Sequence, residues 1–359
     1  MEVSFFIYIF AKEIKLFNLK KYFMKRIILC AIFVIASFIF TSCKKEQMMS
    51  TTDDYYVVQL GWSGELDITY EPLTKSHDNS NLYGIQVYSS PDISATAENT
   101  VWTPYAHGLF DNTNEISISL LKGYKYKFIT TMIVDGKDMV YSVNSEYHFP
   151  FFVGGTNTAW CTLNNLFNYS SIDSMNVLSN GKTTLSNHGN FLYPNTERYY
   201  GELVDFIPQK NNAKANVHLK RVCFGAKFIV KGKVATNGVV TAQIQNAPEL
   251  SIDLTGNEKK ISDIFTFSDV KTTWENNSYR EEINVCLNWV KDNGVTVPLG
   301  THTVEFKRNA TTVVHINIDE EGLSGCLGFE YDDIGEMEVD NEVVIQDGEI
   351  VEGDVNINH

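Results

Sequence analysis

The chain has 359 residues, of which 43% are hydrophobic and 13% aromatic, and it carries a formal charge of −15 at neutral pH. Fourteen acidic residues and no Lys or Arg lie within 319–359, so the remainder of the chain is close to neutral. Because it offers no basic surface that could replace phosphate counterions, the composition argues against nucleic acid as a partner. The length leaves room for two domains of ordinary size.

The stretch 24–45 has the physical pattern of an export signal. It opens with a basic pair, continues as an apolar run over 27–40 and ends with Thr41, Ser42 and Cys43 before two further lysines. A basic start, an apolar centre and small residues before a break are typical of a signal peptide. An ordinary transmembrane anchor is the alternative, because the apolar run is near the lower limit for a bilayer span.

The residues Thr41, Ser42 and Cys43 resemble the lipobox of bacterial lipoproteins, with Phe40 where leucine is usual. The resemblance implies that the thiol of Cys43 is acylated and that cleavage leaves this cysteine as the first residue. The expected organisation is then an upstream extension over 1–23, a signal peptide over 24–42 and a polar tether over 43–54.

Beyond the tether, the composition predicts an all-β chain. It is rich in Tyr, Phe, Val, Ile, Thr and Asn, and its apolar residues alternate with polar ones as in strands with one buried face. Turns at Lys122-Gly123 and Asp135-Gly136 are each expected to close a hairpin. The first strands are predicted over 56–62, 66–70 and 83–87.

The β pattern restarts in the second half of the chain with Val222–Val230. The apolar phase of this strand is opposite to that of Val217 and Leu219, so a bulge is predicted near Lys220–Arg221. The turn over 307–310 is expected to join the last two strands of this half as a closing hairpin.

Many short strands joined by Gly, Asn and Asp turns favour two consecutive β-sandwiches over a layered α/β fold. Short helices are expected only over 163–167 and 261–267. The predicted domains are an N-terminal sandwich over 55–200 and a C-terminal sandwich over 201–318. The acidic segment 319–359 retains enough apolar residues for one or two strands.

Four cysteines follow Cys43, and none of them forms a Cys-x-x-Cys pair: Cys161, Cys223, Cys286 and Cys326. So few cysteines do not make a disulfide framework, which favours buried or unpaired thiols. A bridge between Cys223 and Cys286 is the alternative if their strands are neighbours, because each cysteine alternates with apolar residues.

The sequence contains no motif that carries catalysis or metal binding. His-Glu-x-x-His, a P-loop and a nucleophile elbow are absent from it. Asp319-Glu320-Glu321 and Asp332-Asp333 lack the alternating oxygen ligands of an EF-hand loop. We therefore expect neither an enzyme nor a metal or cofactor site.

The tryptophans leave two interpretations open. Trp62, Trp102, Trp160 and Trp274 could stack on sugar rings at the surface, or they could pack inside the sandwiches as Trp289 is expected to do. Packing is the ordinary role of aromatic residues in such folds.

Several stretches resemble the fimbrillin-type lipoproteins of Bacteroidota. They are 82–88, 120–126, 198–202, 219–228 and 305–309. The resemblance implies two transthyretin-like sandwiches, a lipid anchor in the outer membrane at the cell surface, and a role in assembling or anchoring a type V pilus.

In this family, a sandwich that lacks one strand exposes unpaired backbone groups and an apolar groove, which a strand of the next subunit fills. An Arg-specific protease opens the groove in the polymerising members by removing the N-terminal strand. No arginine lies between Cys43 and Arg198 here. Either another protease acts, or the N-terminal strand stays in place and the subunit remains tethered.

The expected function is that of a lipid-anchored structural or adhesive protein that engages partner subunits by strand addition. The alternative function is a surface lipoprotein that binds a glycan or another host ligand. The first predicts oligomers that resist denaturant, whereas the second predicts tryptophans clustered and exposed on one face.

Overall fold

The computed structural model describes residues 54–65, 80–113, 116–151, 161–170, 184–186, 189–231, 237–256, 258–318, 338–346 and 349–352. The chain divides into two compact units, 1–54 and 55–359, and all the described strands and helices lie in the second. The leader, Cys43, the strand predicted over 66–70, Trp160, Cys326 and the carboxylates of 319–333 lie outside the described residues. No helix in the described part is long and apolar enough to cross a membrane.

Thirteen strands are described before residue 222, with a 3₁₀ turn at Ala97–Asn99 and the short helix α1 at Gly136–Met139. The strands are β1 (Tyr55–Gly64), β2 (Leu82–Ser90), β3 (Thr103–Phe110), β4 (Ser117–Leu121), β5 (Lys125–Ile133), β6 (Ser142–Val143), β7 (Glu146–Tyr147), β8 (Cys161–Thr162), β9 (Asn168–Tyr169), β10 (Thr184–Ser186), β11 (Gly189–Phe191), β12 (Arg198–Phe206) and β13 (Ala213–Arg221). Eight of them form one sheet in the spatial order β4-β1-β13-β12-β5-β2-β3-β9, while β6-β7-β8 and β10-β11 form two small sheets.

The eight-stranded sheet folds over on itself between β12 and β13. These two strands share only the pairs Tyr199–Arg221 and Tyr200–Lys220, so the part with β4, β1 and β13 packs against the part with β5, β2 and β3. One hydrophobic core lies between the two parts and makes them the first sandwich. Its members include Val58 of β1, Ile85 of β2, Ile118 of β4, Phe128 of β5 and Val217 of β13.

Nine strands and the short helix α2 (Val270–Glu275) are described after residue 222. The strands are β14 (Cys223–Lys231), β15 (Val239–Ile244), β16 (Leu250–Asp253), β17 (Lys260–Thr266), β18 (Arg280–Val290), β19 (Thr296–Lys307), β20 (Ala310–Asn317), β21 (Glu338–Gln346) and β22 (Glu349–Glu352). They form two sheets, in the spatial orders β17-β14-β20-β21-β22 and β16-β15-β18-β19.

Apolar side chains from both of these sheets enclose a second core, which defines the second sandwich. Its members include Phe224, Phe228, Phe265, Leu287 and Trp289. The predicted all-β fold with two consecutive sandwiches is therefore confirmed. Strands β21 and β22 lie within the acidic segment, where the sequence predicts one or two strands.

The chain crosses from the first sandwich to the second at Val222. Val217 of β13 faces the first core, whereas Phe224 of β14 faces the second. The change of apolar phase that predicts a bulge near Lys220–Arg221 is therefore a change of sheet. Strands β12 and β13 belong to the first sheet, so the sheets divide later in the chain than the boundary predicted at residue 200.

The hairpin predictions are wrong. The Lys122-Gly123 turn joins β4 to β5, but β4 pairs with β1 while β5 pairs with β2 and β12. The turn after β19 leads to β20 in the opposite sheet, and at Asp135-Gly136 the chain enters α1. Gly and Asn residues indicate where the chain reverses, but they do not indicate which sheet it enters next.

The helix predictions are also wrong. Residues 163–167 form an isolated bridge and bends, and most of 261–267 lies in β17, which pairs with β14 along its length. The pairing buries Phe265 in the second core, so tertiary contacts override the local helical spacing. The helix of this region is α2, whose Thr272 amide donates to the capping carboxylate of Asp269 at 3.0 Å.

Candidate functional site: first strand, junction and sheet edges

β1 lies inside the first sheet, between β4 and β13. Residues 58–64 of β1 pair in parallel with 213–219 of β13, whereas the first half of β1 pairs antiparallel with β4. The alternating sequence of the strand buries Val58 and Leu60 in the first core. β1 therefore fills a groove that its two neighbours and the core would leave open without it.

Gly64 ends β1 and sets the direction of the residue that follows. Its φ is +113°, in a region that L side chains rarely adopt, and an added Cβ would lie 2.1 Å from the carbonyl oxygen of Leu219. The amide of Glu65 donates to the same oxygen at 2.9 Å. This backbone geometry directs the Glu65 carboxylate toward the second sandwich.

Glu65 and Arg308 join the two sandwiches. Arg308 directly follows β19, and its guanidinium donates to both carboxylate oxygens of Glu65, at 2.7 and 3.0 Å. The Arg308 guanidinium also donates to the carbonyl oxygen of Arg221 at 2.8 Å, and the Arg221 amide donates to Glu65 at 2.9 Å. The side chain of Arg308 is 5% exposed and that of Glu65 31%, so the pair is partly shielded from water.

Arg221, at the end of β13, extends this set of contacts. Its guanidinium donates to Glu197 at 2.8 Å and to the side-chain oxygen of Asn309 at 2.9 Å, and it lies 5.2 Å from the centre of the Tyr199 ring. We refer to Glu65, Glu197, Arg221 and Arg308 as the junction cluster. The cluster connects both sandwiches through charge-assisted hydrogen bonds, which are stronger than neutral ones.

Two effects oppose each other at the Glu65 carboxylate. Burial raises its pKa, whereas Arg308 and the Arg221 amide stabilise the charged form, and together they hold the pKa of Glu65 below its ordinary value. The ion pair therefore contributes to stability only while Glu65 is ionised.

The substitution Glu65→Gln keeps the size of the side chain and removes its charge. We expect it to lower the free energy of unfolding by about 2 kcal/mol at neutral pH, because Arg308 loses its carboxylate. Since the folded pKa is lowered, this loss is full above the ordinary value of 4.5 and disappears as the pH falls below it. Urea unfolding of the two proteins from neutral to acidic pH measures the difference.

Glu305→Gln is the matched control for this measurement. Glu305 pairs with Arg280 at 3.2 Å, and both side chains are exposed. Because exposed ion pairs contribute little, the control should change the unfolding free energy by less than about 1 kcal/mol. An equal loss in both variants would contradict a particular role for Glu65.

Tyrosine hydroxyl groups occupy the outer edge of β4, at one end of the first sheet. Tyr105 Oη donates to Ser119 O at 2.7 Å, and the Ser119 amide donates to Tyr169 Oη at 3.0 Å. Tyr126 Oη donates to Leu121 O at 3.1 Å. Burial raises the pKa of Tyr105 and Tyr126, which keeps both hydroxyl groups protonated. The tyrosine hydroxyl groups therefore occupy the backbone groups of β4 to which an added strand would bond.

The outer edge of β17, at one end of the five-stranded sheet, is also occupied. The Thr266 amide donates to Pro194 O at 3.0 Å, and the Ile264 amide donates to the side chain of Asp263 at 2.8 Å. Lys260 places a charge at the start of the strand, and charged residues discourage pairing with a further strand. This edge is therefore protected against strand addition.

Among the described strands, β19 is the longest that ends a sheet, with 12 residues. The Arg308 amide donates to Tyr279 O on the β18 side at 2.8 Å. The alternation of an antiparallel ladder then turns the amides of Thr301 and Thr303 outward. Both residues are exposed, and no described strand pairs with this edge. The outer edge of β19 at these two residues is therefore the candidate site for strand addition.

Three of the described tryptophans have packing roles. Trp62 stacks on Tyr83 with ring centres 5.9 Å apart, and Trp274 lies edge-on to Tyr200 at 5.6 Å. Trp289 is buried in the second core, as the sequence predicts. These three side chains do not form an exposed cluster.

Trp102 differs, because it is partly exposed and lies beside two lysines just before β3. The Nζ atoms of Lys125 and Lys127 each lie 5.6 Å from the centre of the Trp102 ring. Lys127 Nζ also lies 4.6 Å from the Tyr88 ring, and Lys125 pairs with Asp205 at 3.0 Å. Lys125 is buried and its charge is paired with Asp205, so the half-buried Lys127 is the cation beside the partly exposed Trp102 ring.

The described cysteines Cys161, Cys223 and Cys286 are free thiols. Cys223 lies in β14 and Cys286 in β18, which belong to different sheets, so the bridge considered from the sequence is not formed. Burial raises the pKa of Cys161 and of Cys223 to about 12. In the described part of the chain, no three His, Cys, Asp or Glu side chains are grouped as they would be around a metal ion.

Thiol labelling should follow this difference in burial. We expect a maleimide to modify Cys286, which is partly exposed, about 100-fold or more faster than Cys161 and Cys223 in the native protein at mildly alkaline pH. Peptide mapping by mass spectrometry gives the three rates. Unfolding in denaturant should make them similar, and equal rates in the native protein would contradict the burial of Cys223.

The sequence has no pattern that groups the junction cluster or the tyrosines at β4. Its only signal for Glu65 is the position of a charged residue directly after the Ser63-Gly64 turn. The partner of Glu65 is 243 residues away, and such a separation leaves no periodic pattern in the sequence.

No family model matches the chain, and no curated protein matches it. Among solved structures, a candidate adhesin from Bacteroides ovatus is 12% identical over 78% of this chain and 94% of its own, with a TM-score of 0.34. The fimbrial anchor protein Mfa2 of Porphyromonas gingivalis is 11% identical over 70% and 82%, with a TM-score of 0.31. The tip fimbrial protein Mfa3 of the same organism is 10% identical over 74% and 96%, with a TM-score of 0.28. These three solved structures are a candidate adhesin and two fimbrial proteins of Bacteroidota, at low sequence identity.

Proposed function

We propose that this chain is a lipid-anchored structural or adhesive protein of the cell envelope that engages partner subunits by β-strand addition. The observation that carries the proposal is the outer edge of β19, with which no described strand pairs, whereas the edges of β4 and β17 are occupied. A strand of a second subunit would bond to the outward main-chain groups of Thr301 and Thr303. The proposed role is binding and assembly, not catalysis.

The proposed anchor is the acylated thiol of Cys43 in the outer membrane, with the protein at the cell surface. The predicted tether 43–54 leads directly to β1, so the first described strand after Cys43 lies inside the first sheet. Each buried methylene of an acyl chain contributes about 0.8 kcal/mol, and several chains hold a protein firmly at a membrane.

The arginine positions support a subunit that keeps its first strand. The first arginine after Cys43 is Arg198, which is 1% exposed and donates to Thr131 Oγ1 at 2.7 Å. An Arg-specific protease has no accessible arginine at which to release β1 from the folded chain. The proposed subunit therefore remains attached to its tether, as an anchor or a non-polymerising relative of pilus subunits would.

Thr303→Pro tests strand addition at β19. Proline removes the outward amide but leaves the bonds to β18, so the fold should persist while a partner strand loses a hydrogen bond and meets the proline ring. We expect association of the full chain to weaken about tenfold or more. Size-exclusion chromatography and gels run without heating measure the oligomers that resist denaturant.

Thr303→Val is the matched control, because it removes the hydroxyl bond to Asn284 and keeps the amide. It should associate like the unmutated chain, and circular dichroism should show the same strand content in all three proteins. Association that is insensitive to Thr303→Pro would rule out this edge. An unmutated chain that never associates would rule out strand addition.

Binding of a glycan or host ligand is the second candidate function, and the surface around Trp102 favours it. The partly exposed ring of Trp102 beside the half-buried Lys127 suits a sugar that carries a carboxylate or sulfate. We expect Trp102→Ala to reduce binding on an array of acidic glycans about tenfold or more, and Trp102→Phe to reduce it less. Arrays on which the unmutated chain binds nothing would reject this function.

A further inference from the structure

β1 and β13 run side by side in the same direction. Residues 58–64 pair with 213–219, so the N-terminal end of β1 and the C-terminal end of β13 lie at opposite ends of the pair. Beyond the C-terminal end of β13, the chain continues through Val222 into β14 of the second sandwich. Tension between the N-terminal end of the chain and the second sandwich therefore pulls the two strands in opposite directions along their length.

Tension in this direction loads the hydrogen bonds between β1 and β13 together. When two paired strands are pulled apart from the same end, their bonds break one after another, and each step has a low barrier. When they are pulled from opposite ends, several bonds must break in one step, so forced unfolding is slower. A parallel pair with continuous chain at both outer ends gives the second case.

Glu65 strengthens the same connection from the end of β1. It directly follows the strand and binds Arg308 of the second sandwich through two hydrogen bonds, while the Arg221 amide donates to the same carboxylate. Gly64 fixes the backbone between the strand and this carboxylate. β1 cannot slide toward its N-terminal end unless the pair breaks.

We propose that β1, β13 and the Glu65–Arg308 pair form a mechanical clamp, which carries tension from the N-terminal end of the chain into the second sandwich. The source of the tension rests on the proposed lipid anchor at Cys43, whereas the clamp is a property of the fold. Force measurements therefore test the clamp separately from lipidation and from strand addition.

Single-molecule pulling in two geometries tests the clamp. The full chain carries one handle on Cys43 in place of lipid, and a second handle at either Val295→Cys or Lys122→Cys, which are both exposed positions. Val295 lies in the second sandwich, whereas Lys122 is next to Leu121, the partner of Tyr55 at the start of β1. Three other cysteines are replaced by serine: Cys30, Cys286 and Cys326.

The first geometry pulls β1 along β13, and the second peels it from β4. We expect the folded chain to survive about tenfold longer or more at a fixed force in the first geometry, because several bonds must break together. Equal lifetimes in the two geometries would overturn the proposal. This comparison uses the unmutated junction, so it does not depend on how any junction variant folds.

The contribution of the ion pair is measured in the first geometry. Glu65→Gln should shorten the lifetime under force about fivefold or more, whereas the control Glu305→Gln should leave it unchanged within about twofold. In the second geometry neither variant should have an effect, since peeling reaches Glu65 last. A lifetime that Glu65→Gln does not change in the first geometry would remove the pair from the clamp.

Discussion

The arrangement of the two sandwiches depends on one short connection, the single residue between β13 and β14. Val222 is fully buried, its amide donates to Arg198 O at 2.9 Å, and its carbonyl accepts from the Phe267 amide at 3.1 Å. Residues of both sandwiches therefore hold Val222 in place. Because no longer linker separates the sheets, the turn that carries Arg308 is brought within hydrogen-bond distance of Glu65.

The edges of the sheets differ in how their outward backbone groups are satisfied. Tyr105 and Tyr169 cap the edge of β4, and Pro194 with Asp263 caps much of the edge of β17. In β19, a proline and a register shift disturb only the first part of the strand, before Thr301. Exposed edges promote association between chains, so the edge of β19, which has no partner among the described strands, favours a partner chain there.

The sequence was sufficient for features that depend on local alternation. The strand predicted over 56–62 is β1, and the alternation from Val222 to Val230 corresponds to β14. The change of phase before it was a real signal, but it marked a change of sheet and not a bulge. The alternation of apolar residues predicts which face of each strand is buried, but it does not predict which strand pairs with it. For the same reason, the turn at Lys122-Gly123 predicts a hairpin although its two strands lie in different parts of the first sandwich.

The candidate site was beyond sequence reasoning because its parts come from distant segments. Parallel pairing of β1 with β13 and the contact of Glu65 with Arg308 both join the start of the described chain to residues more than a hundred positions later. Contacts between such distant segments leave no spacing rule in the sequence. The lipidation of Cys43 can be predicted from the sequence, because its pattern lies in consecutive residues. It stays a prediction, since Cys43 lies outside the described part of the chain.

The junction also relates the two proposals to each other. Arg308 directly follows β19, so the residue that holds the end of β1 adjoins the strand proposed to accept a partner. On the proposed function, force from a bound partner enters β19 and passes through Arg308 and Glu65 to β1 and the tether. That path leaves out most of the first sandwich, including the occupied edge of β4. On both proposals the Glu65–Arg308 pair and the bonds between β1 and β13 share this load, because both hold β1 against tension toward its N-terminal end.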